Sequence, residues 1–202
     1  MQPLNKAIVS RIYGHGRGWV FTPKNFADLA DPNLVSTLLG KLAKKGMIRR
    51  VIHGLYDYPK IHPKLGILSP TIESVIKALK AREGTSFQPS GAYAANALGL
   101  SEQVPAKVIF LTNGKSRKIQ LGKRTIELKK TSEKNIRLAG TASGLIIEAL
   151  RYLGERNIKE DHLKRISNGL PEKDAKRIEN HLRYAPIWMR PFLLRIIDLS
   201  KT

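Results

Sequence analysis

Apolar positions recur along this chain in two rhythms, one helical and one of strands. In "LNKAIVSRIY" (4–13), Leu4, Ile8 and Ile12 fall at i, i+4 and i+8, which predicts an amphipathic helix. "GHGRG" (14–18) stops it, and the apolar run "WVFT" predicts one brief strand. In "TPKNFADLA", Thr22 is a natural N-cap and Pro23 suits the first helical position. Phe26 and Leu29 share a side, so a short second helix is expected. The device recurs in "DPNLVSTLLGKLAKKG" (31–46), with Asp31 as cap and Pro32 in the first turn. Val35, Leu38, Leu39 and Leu42 form an apolar stripe, and Gly46 is placed to end the helix. The opposite face is Asn33, Ser36, Thr37, Gly40, Lys41 and Lys44, with no acid and no large apolar group.

"IRRVIHGLYDYP" (48–59) reads as a β-hairpin with His53-Gly54 as a two-residue turn. That turn sets Ile52 opposite Leu55, Val51 opposite Tyr56, Arg50 opposite Asp57 and Arg49 opposite Tyr58. A slip of one residue would swap the faces. Helix, strand, helix, helix and hairpin is the order of a winged helix-turn-helix, expected over residues 1–62. In that fold the third helix enters the major groove and the hairpin lies along the backbone. The plainer reading is a bland helical domain whose polar face is solvated. An ordinary solvated face mixes Glu with Lys, however. The side chains here donate to phosphates or read base edges. The expected DNA-contacting residues are Arg17, Thr22, Lys24, Asn33, Ser36, Thr37, Lys41, Lys44, Arg49, Arg50 and His53. Helix N-termini are expected to hold phosphates as well. In the proposed register Asp57 occupies Arg50, which leaves Arg49 and His53 for phosphate.

"PKIHPKLGILSP" (59–70) reads as a connector. "SPTIESVIKALKARE" then predicts a helix capped by Ser69. A short extended piece and a small-residue helix, about 91–98, follow. "AKVIFLTNGKSRKIQLGKRTIELKKT" reads as a three-stranded meander turning at Asn113-Gly114 and Gly122-Lys123. Four helical segments finish the chain, at about 142–153, 159–168, 171–183 and 186–198. The expected fold is α+β. A mixed C-terminal domain over 63–202 carries a small antiparallel sheet and a helical end.

Charge sharpens this picture. Lys and Arg number 36 against 16 Asp and Glu, a net +20. Residues 1–65 carry 11 basic and 3 acidic residues, 66–140 carry 13 and 5, and 141–202 carry 12 and 8. Two separate parts are strongly basic, which points to polyanion partners and above all nucleic acid. Seven cations fall in 115–130: Lys115, Arg117, Lys118, Lys123, Arg124, Lys129 and Lys130. They read either as a protected sheet edge or as a second basic surface for RNA or an acidic protein. Few aromatic residues accompany them, which disfavours stacking on single strands.

Catalytic chemistry is scarce. There is no cysteine, which removes disulfides and thiolate sites and fits a reducing cytoplasm. "GHGRG" follows a helix rather than a strand, so it reads as a connector and not a phosphate loop. His15, His53, His62, His162 and His181 show no metal-ligand spacing, and the acids are scattered. No enzyme activity, metal or cofactor is expected. No apolar run approaches the ~18 residues of a membrane span, and no signal peptide is evident.

"GWVFTPKNFADL", "GMIRRVIHGLYDYPKIHPKLGILSP", "QPSGAYAANALGLSEQVPAKVIFLTNG" and "LRYAPIWM" together resemble the AbiE-type antitoxins of bacterial type IV toxin–antitoxin systems. The resemblance runs from about Lys6 to Arg195. It implies a bipartite protein of abortive phage defence. Its winged helix would repress its own operon by binding inverted repeats, as a monomer or weak dimer with two copies per operator. Its C-terminal domain would counteract a nucleotidyltransferase-like toxin. Carried onto this chain, the recognition face is Asn33, Ser36, Thr37 and Lys41, and the wing runs from Arg49 to Tyr56. The rival expectation, drawn from the basic 115–130 segment, is an RNA-binding protein that shields a structured RNA such as tRNA.

Overall fold

The computed structural model describes residues 3–201. The chain is α+β and divides into two compact units. One comprises Met1–Thr85 with Ile119–Lys123, the other Ser86–Lys118 with Arg124–Thr202. The first unit therefore runs past the 62/63 boundary expected from the connector.

The first unit opens with helix α1, Pro3–His15, which buries Ile8 and Ile12. Strand β1, Val20–Phe21, follows. The expected second helix is only a 3₁₀ turn, Pro23–Phe26. Its single deep anchor is Phe26, and Asp31-Pro32 restarts the chain five residues later. Helix α2, Pro32–Lys44, is capped by the Asp31 carboxylate, which accepts from the Asn33 amide at 2.8 Å. It buries Val35, Leu39 and Leu42, while Leu38 is half-buried. Gly46 ends it at φ +73°, a conformation other residues reach only with strain. Strands β2, Arg49–Ile52, and β3, Leu55–Asp57, complete a three-stranded antiparallel sheet of order β1-β3-β2. Phe21 meets Phe26 edge-on at 5.7 Å and lies 6.2 Å from Tyr56, which joins the sheet to the helices.

The hairpin register differs from the expected one. Ile52 does pair with Leu55, but a bulge follows, so that Arg50 opposes Tyr56 and Arg49 opposes Asp57. The cause lies in the turn. A two-residue type I′ loop needs positive φ at both central residues. Of the two, Gly54 has it, at +70°, and His53, like every other described non-glycine residue, does not. A turn that does not match the strand twist is accommodated by one extra residue, Val51.

The connector carries a short hairpin of its own, β4 Ile61–His62 with β5 Gly66–Ile67. Helix α3, Ile72–Glu83, starts two residues later than the expected Ser69 cap implies. Thr71 is the cap, and its side chain accepts from the Ser74 amide. Three contacts tie this region into the first unit. Arg49 donates to the Leu68 carbonyl at 2.8 Å, Lys24 to the Arg82 carbonyl at 2.7 Å, and Arg82 to the His53 carbonyl at 3.0 Å.

In the second unit, β6 Phe87–Ser90 and α4 Ala92–Ala97 match the expected extended piece and small helix. Strands β7 Lys107–Thr112, β8 Arg117–Leu121, of which Ile119–Leu121 group with the first unit, and β9 Arg124–Lys130 do not form a meander. The sheet order is β6-β7-β9-β8, with β7 and β9 parallel, so the sheet is mixed. Gly122 adopts φ +59° and turns β8 into β9, while Gly114 lacks positive φ and makes no such turn. The continuous apolar run of β7 suits a central strand, and β8, with exposed Lys118 and Gln120, suits an edge. Helices α5 Glu133–Ile136, α6 Ala142–Leu153, α7 Glu160–Asn168, α8 Glu172–His181 and α9 Arg190–Leu199 follow. Their core includes Ile146, Leu150, Leu163, Ile178, Met189, Leu193 and Ile196. Helix α6 packs closely at Gly144, where an added Cβ would lie 2.3 Å from the Leu138 carbonyl oxygen.

Candidate nucleic-acid interface

Helix α2 shows what its stripe implies. With Val35, Leu39 and Leu42 turned inward, Asn33, Thr37, Lys41, Lys44 and Lys45 are exposed, and Ser36 and Gly40 are half-buried. The ammonium groups of Lys41, Lys44 and Lys45 make no ion pair among the described residues. From Asn33 to Lys44 the face extends about 16 Å at 1.5 Å per residue, a length that lies across a major groove of about 12 Å. The Thr37 hydroxyl donates to the Asn33 carbonyl at 3.0 Å. Its proton is engaged, so toward a partner Thr37 is an acceptor.

Two features of this face depart from expectation. Leu34 is 47% exposed beside Thr37 and Lys41, so the face does hold a large apolar side chain. It suits contact with a thymine methyl. The N-terminus of α2 is filled by the Asp31 carboxylate rather than left open to phosphate. A fixed negative charge there opposes the phosphate contact expected at this helix end.

The two arginines of the hairpin exchange roles. Arg49 donates through Nε to Asp57 Oδ1 at 3.0 Å and through Nη2 to Oδ2 at 2.6 Å. Asp57 is 1% exposed, so this pair is structural and Arg49 is not the free cation expected. Arg50 is exposed and makes no ion pair among the described residues. Its Nη2 donates to the Tyr56 hydroxyl at 3.1 Å, and its guanidinium lies 5.4 Å from the Tyr56 ring centroid. A Cβ on Gly40 would sit 3.4 Å from that same Nη2. The arginine thus lies against α2, beside the lysine row.

Gly40 therefore has a testable role. Alanine favours a helix interior over glycine by about 0.8–1 kcal/mol, and the tight neighbour is the end of a flexible side chain. Gly40→Ala should raise stability by up to about 1 kcal/mol in urea unfolding. The added Cβ meets Arg50 Nη2 at the edge of ordinary contact, so Arg50 should keep its place and nucleic-acid binding should be unchanged. A loss of stability would show that the contact cannot give.

The model of a family of unknown function, DUF6088, matches residues 7–178. The chain belongs to the DUF6088 family. Comparison with curated proteins finds no match. Among solved structures, the chain is similar to the RV2827C protein from Mycobacterium tuberculosis. The two share 15% identity over 96% of this chain and 82% of that one, with a TM-score of 0.45.

The remaining expected contacts of this DUF6088 chain divide by exposure. Thr22 is 3% exposed, and its hydroxyl and amide both turn to Asn25 Oδ1, so it is withdrawn from any surface. The Lys24 ammonium is held by the Arg82 carbonyl at the end of α3. Arg17 is exposed, with its guanidinium 4.6 Å from the Tyr58 ring and Nη1 donating to the Pro59 carbonyl. His53 is exposed at the hairpin tip.

The basic 115–130 segment does not form one field. Lys118 and Lys129 are exposed on β8 and β9, Lys115 lies in the loop before β8, Lys123 in the β8–β9 turn, and Arg124 and Lys130 fall at strand ends. Arg117 is half-buried. On β9, Glu127 bonds Lys107 at 2.6 Å. That hydrogen bond, helped by the charges of Lys107, Lys129 and Lys118, holds the carboxyl below its usual range. An ionised acid therefore sits among these lysines at neutral pH. Lys45 and Leu34, which sequence reasoning passed over, are the additions to the α2 face. Lys45 is legible in "KLAKKG", but Leu34 is not, since it adjoins a stripe position.

No described helix is long and apolar enough to cross a membrane. Among the described residues no group of three or more His, Cys, Asp or Glu is placed to hold a metal.

Proposed function

We propose that the first unit is a winged helix-turn-helix that binds duplex DNA, with α2 in the major groove and the β2–β3 hairpin as the wing. The observation that carries this reading is the α2 face: exposed Lys41, Lys44 and Lys45 with no ion pair among the described residues, and Arg50 seated against Gly40 of the same helix. Lys41, Asn33, Thr37 and Leu34 are the base-reading set. Lys44, Lys45, Arg50, Arg17 and His53 are the phosphate set. Arg49, Thr22 and Lys24 support the fold instead.

The resemblance to AbiE-type antitoxins extends the proposal. The DNA unit would repress its own operon at inverted repeats, and the second unit would counteract a nucleotidyltransferase-like toxin encoded nearby. Anisotropy titrations of the full chain against its upstream region, random duplex and tRNA at equal salt test the first step. The upstream duplex should bind at least about 10³-fold more tightly than random duplex. Equal binding to both duplexes would sink the repressor reading. Tighter binding to tRNA would favour the RNA-shielding alternative. Within the specific site, Lys41→Ala should relax discrimination at one base pair by about 1–3 kcal/mol.

A further inference from the structure

A second cationic site lies within the helical part of the second unit, independent of the α2 face. A cavity of about 310 Å³ is lined by Lys134, Asn135, Leu138, Arg151, Arg183, Tyr184, Ala185, Pro186, Ile187 and Arg190. Its four cations come from α5, the end of α6, the turn after α8 and the start of α9, and no acid lines it. Convergence of like charges from four elements is locally unfavourable unless an anion joins them. Only Arg151 has an acid partner, Glu148 at 2.7 Å, which does not line the cavity. Lys134, Arg183 and Arg190 make no ion pair among the described residues. Arg190 also stands in the first turn of α9, where a cation opposes the helix dipole, and that turn holds no acid. Fold stability gives no reason for it.

Tyr184 lies against Arg183 and one further guanidinium, Arg137, at 4.8 Å and 5.1 Å from its ring. The Arg137 hydrogen bond, followed by Arg183, lowers the phenol from its ordinary range. The hydroxyl therefore sits in a strongly positive field. The lining also holds the apolar residues Leu138, Ala185, Pro186 and Ile187, the last 79% exposed. A free inorganic anion would leave these residues unused. A ligand with a doubly charged phosphate and a flat organic body uses cations and apolar residues alike.

We propose that this cavity binds the phosphomonoester of a nucleotide, with Lys134, Arg183 and Arg190 on the phosphate and Pro186 and Ile187 against the base. The same group is offered by a free mononucleotide or by the 5′ end of a nucleic acid. Equilibrium dialysis of the full chain with labelled adenosine 5′-monophosphate tests the site. Competitors are adenosine and a short oligoribonucleotide in its 5′-phosphorylated and 5′-hydroxyl forms. The monophosphate should bind, and adenosine should fail to compete. A 5′-phosphorylated oligonucleotide that competes better than the mononucleotide identifies the source as a nucleic-acid end, and the reverse identifies a free nucleotide. Arg190→Gln and Lys134→Gln, whose side chains make no ion pair, should each weaken binding about tenfold or more. Their circular dichroism should match the parent. Lys41→Ala should leave this binding unchanged, so failure here is separate from failure of the duplex reading. Three results would overturn the proposal: no binding of either phosphate species, adenosine binding as tightly as its monophosphate, or parental binding by Arg190→Gln.

Discussion

Asp57→Ala should destabilise the first unit by about 3 kcal/mol. Asp57 is 1% exposed at the end of β3, and its two oxygens accept separately from Arg49 Nε and Nη2. Removing it leaves a half-buried guanidinium with the Leu68 carbonyl as its one remaining partner. Breaking a buried pair costs about 3–5 kcal/mol because the surviving charge stays desolvated. The Arg49 side chain is 34% exposed, which places the effect at the lower end. Hydrogen exchange reads it directly. Protection of the Tyr56 and Asp57 amides should fall about 10²-fold, since 1.4 kcal/mol corresponds to a factor of ten. Asp57→Asn keeps the shape and one acceptor, so it should fall between parent and alanine. Unchanged protection in the alanine variant would mean that the pair contributes nothing. The same geometry changes what Arg49→Ala should do: it should lower stability, with no drop in the salt slope of DNA binding.

What the sequence disclosed, and what it hid, follows from how local each signal is. Ile8 and Ile12, and Val35, Leu39 and Leu42, announced α1 and α2 because helical burial repeats within a few residues. Asp31-Pro32 marked a helix start for the same reason: cap and first turn are neighbours. The hairpin was legible as a hairpin, but its register was not. Arg49 and Arg50 are chemically alike, Asp57 can pair with either, and the bulge at Val51 decides between them. The "TNGK" turn misled because Asn113 has a distant task. Its Oδ1 accepts from the Ser86 amide, and its Nδ2 reaches Glu133. Asn113 thus braces two other segments where a tight turn was expected, and β9 is free to insert between β7 and β8. Thr22 read as a surface contact because N-caps usually sit at surfaces, yet here the cap faces the core. The cationic cavity left no trace in any window, since Lys134, Arg151, Arg183 and Arg190 are joined only by the packing of the helices.

Lys44→Ala combined with Lys45→Ala should weaken duplex DNA binding about 60-fold at 0.1 M salt. Each lysine set against a phosphate releases about 0.9 counterion, so losing two lowers the slope of log K against log salt by roughly 1.8. At 0.1 M that slope alone amounts to about a factor of 60. The prediction is selective because both side chains are exposed at the end of α2 and make no ion pair among the described residues that their loss could disrupt. Stability should be unchanged within about 0.5 kcal/mol, as for other surface sites. The paired change Lys118→Ala with Lys129→Ala removes the same charge from the β8–β9 face. There Glu127 already neutralises part of the field, so duplex binding should fall much less. If the strand pair costs as much as the helix pair, the effect follows net charge and not a docked helix. If it costs more, the basic surface that matters is the sheet, and structured RNA becomes the better partner. A steep loss confined to Lys44 and Lys45, with a salt slope lower by nearly two, is the signature of α2 lying in the groove.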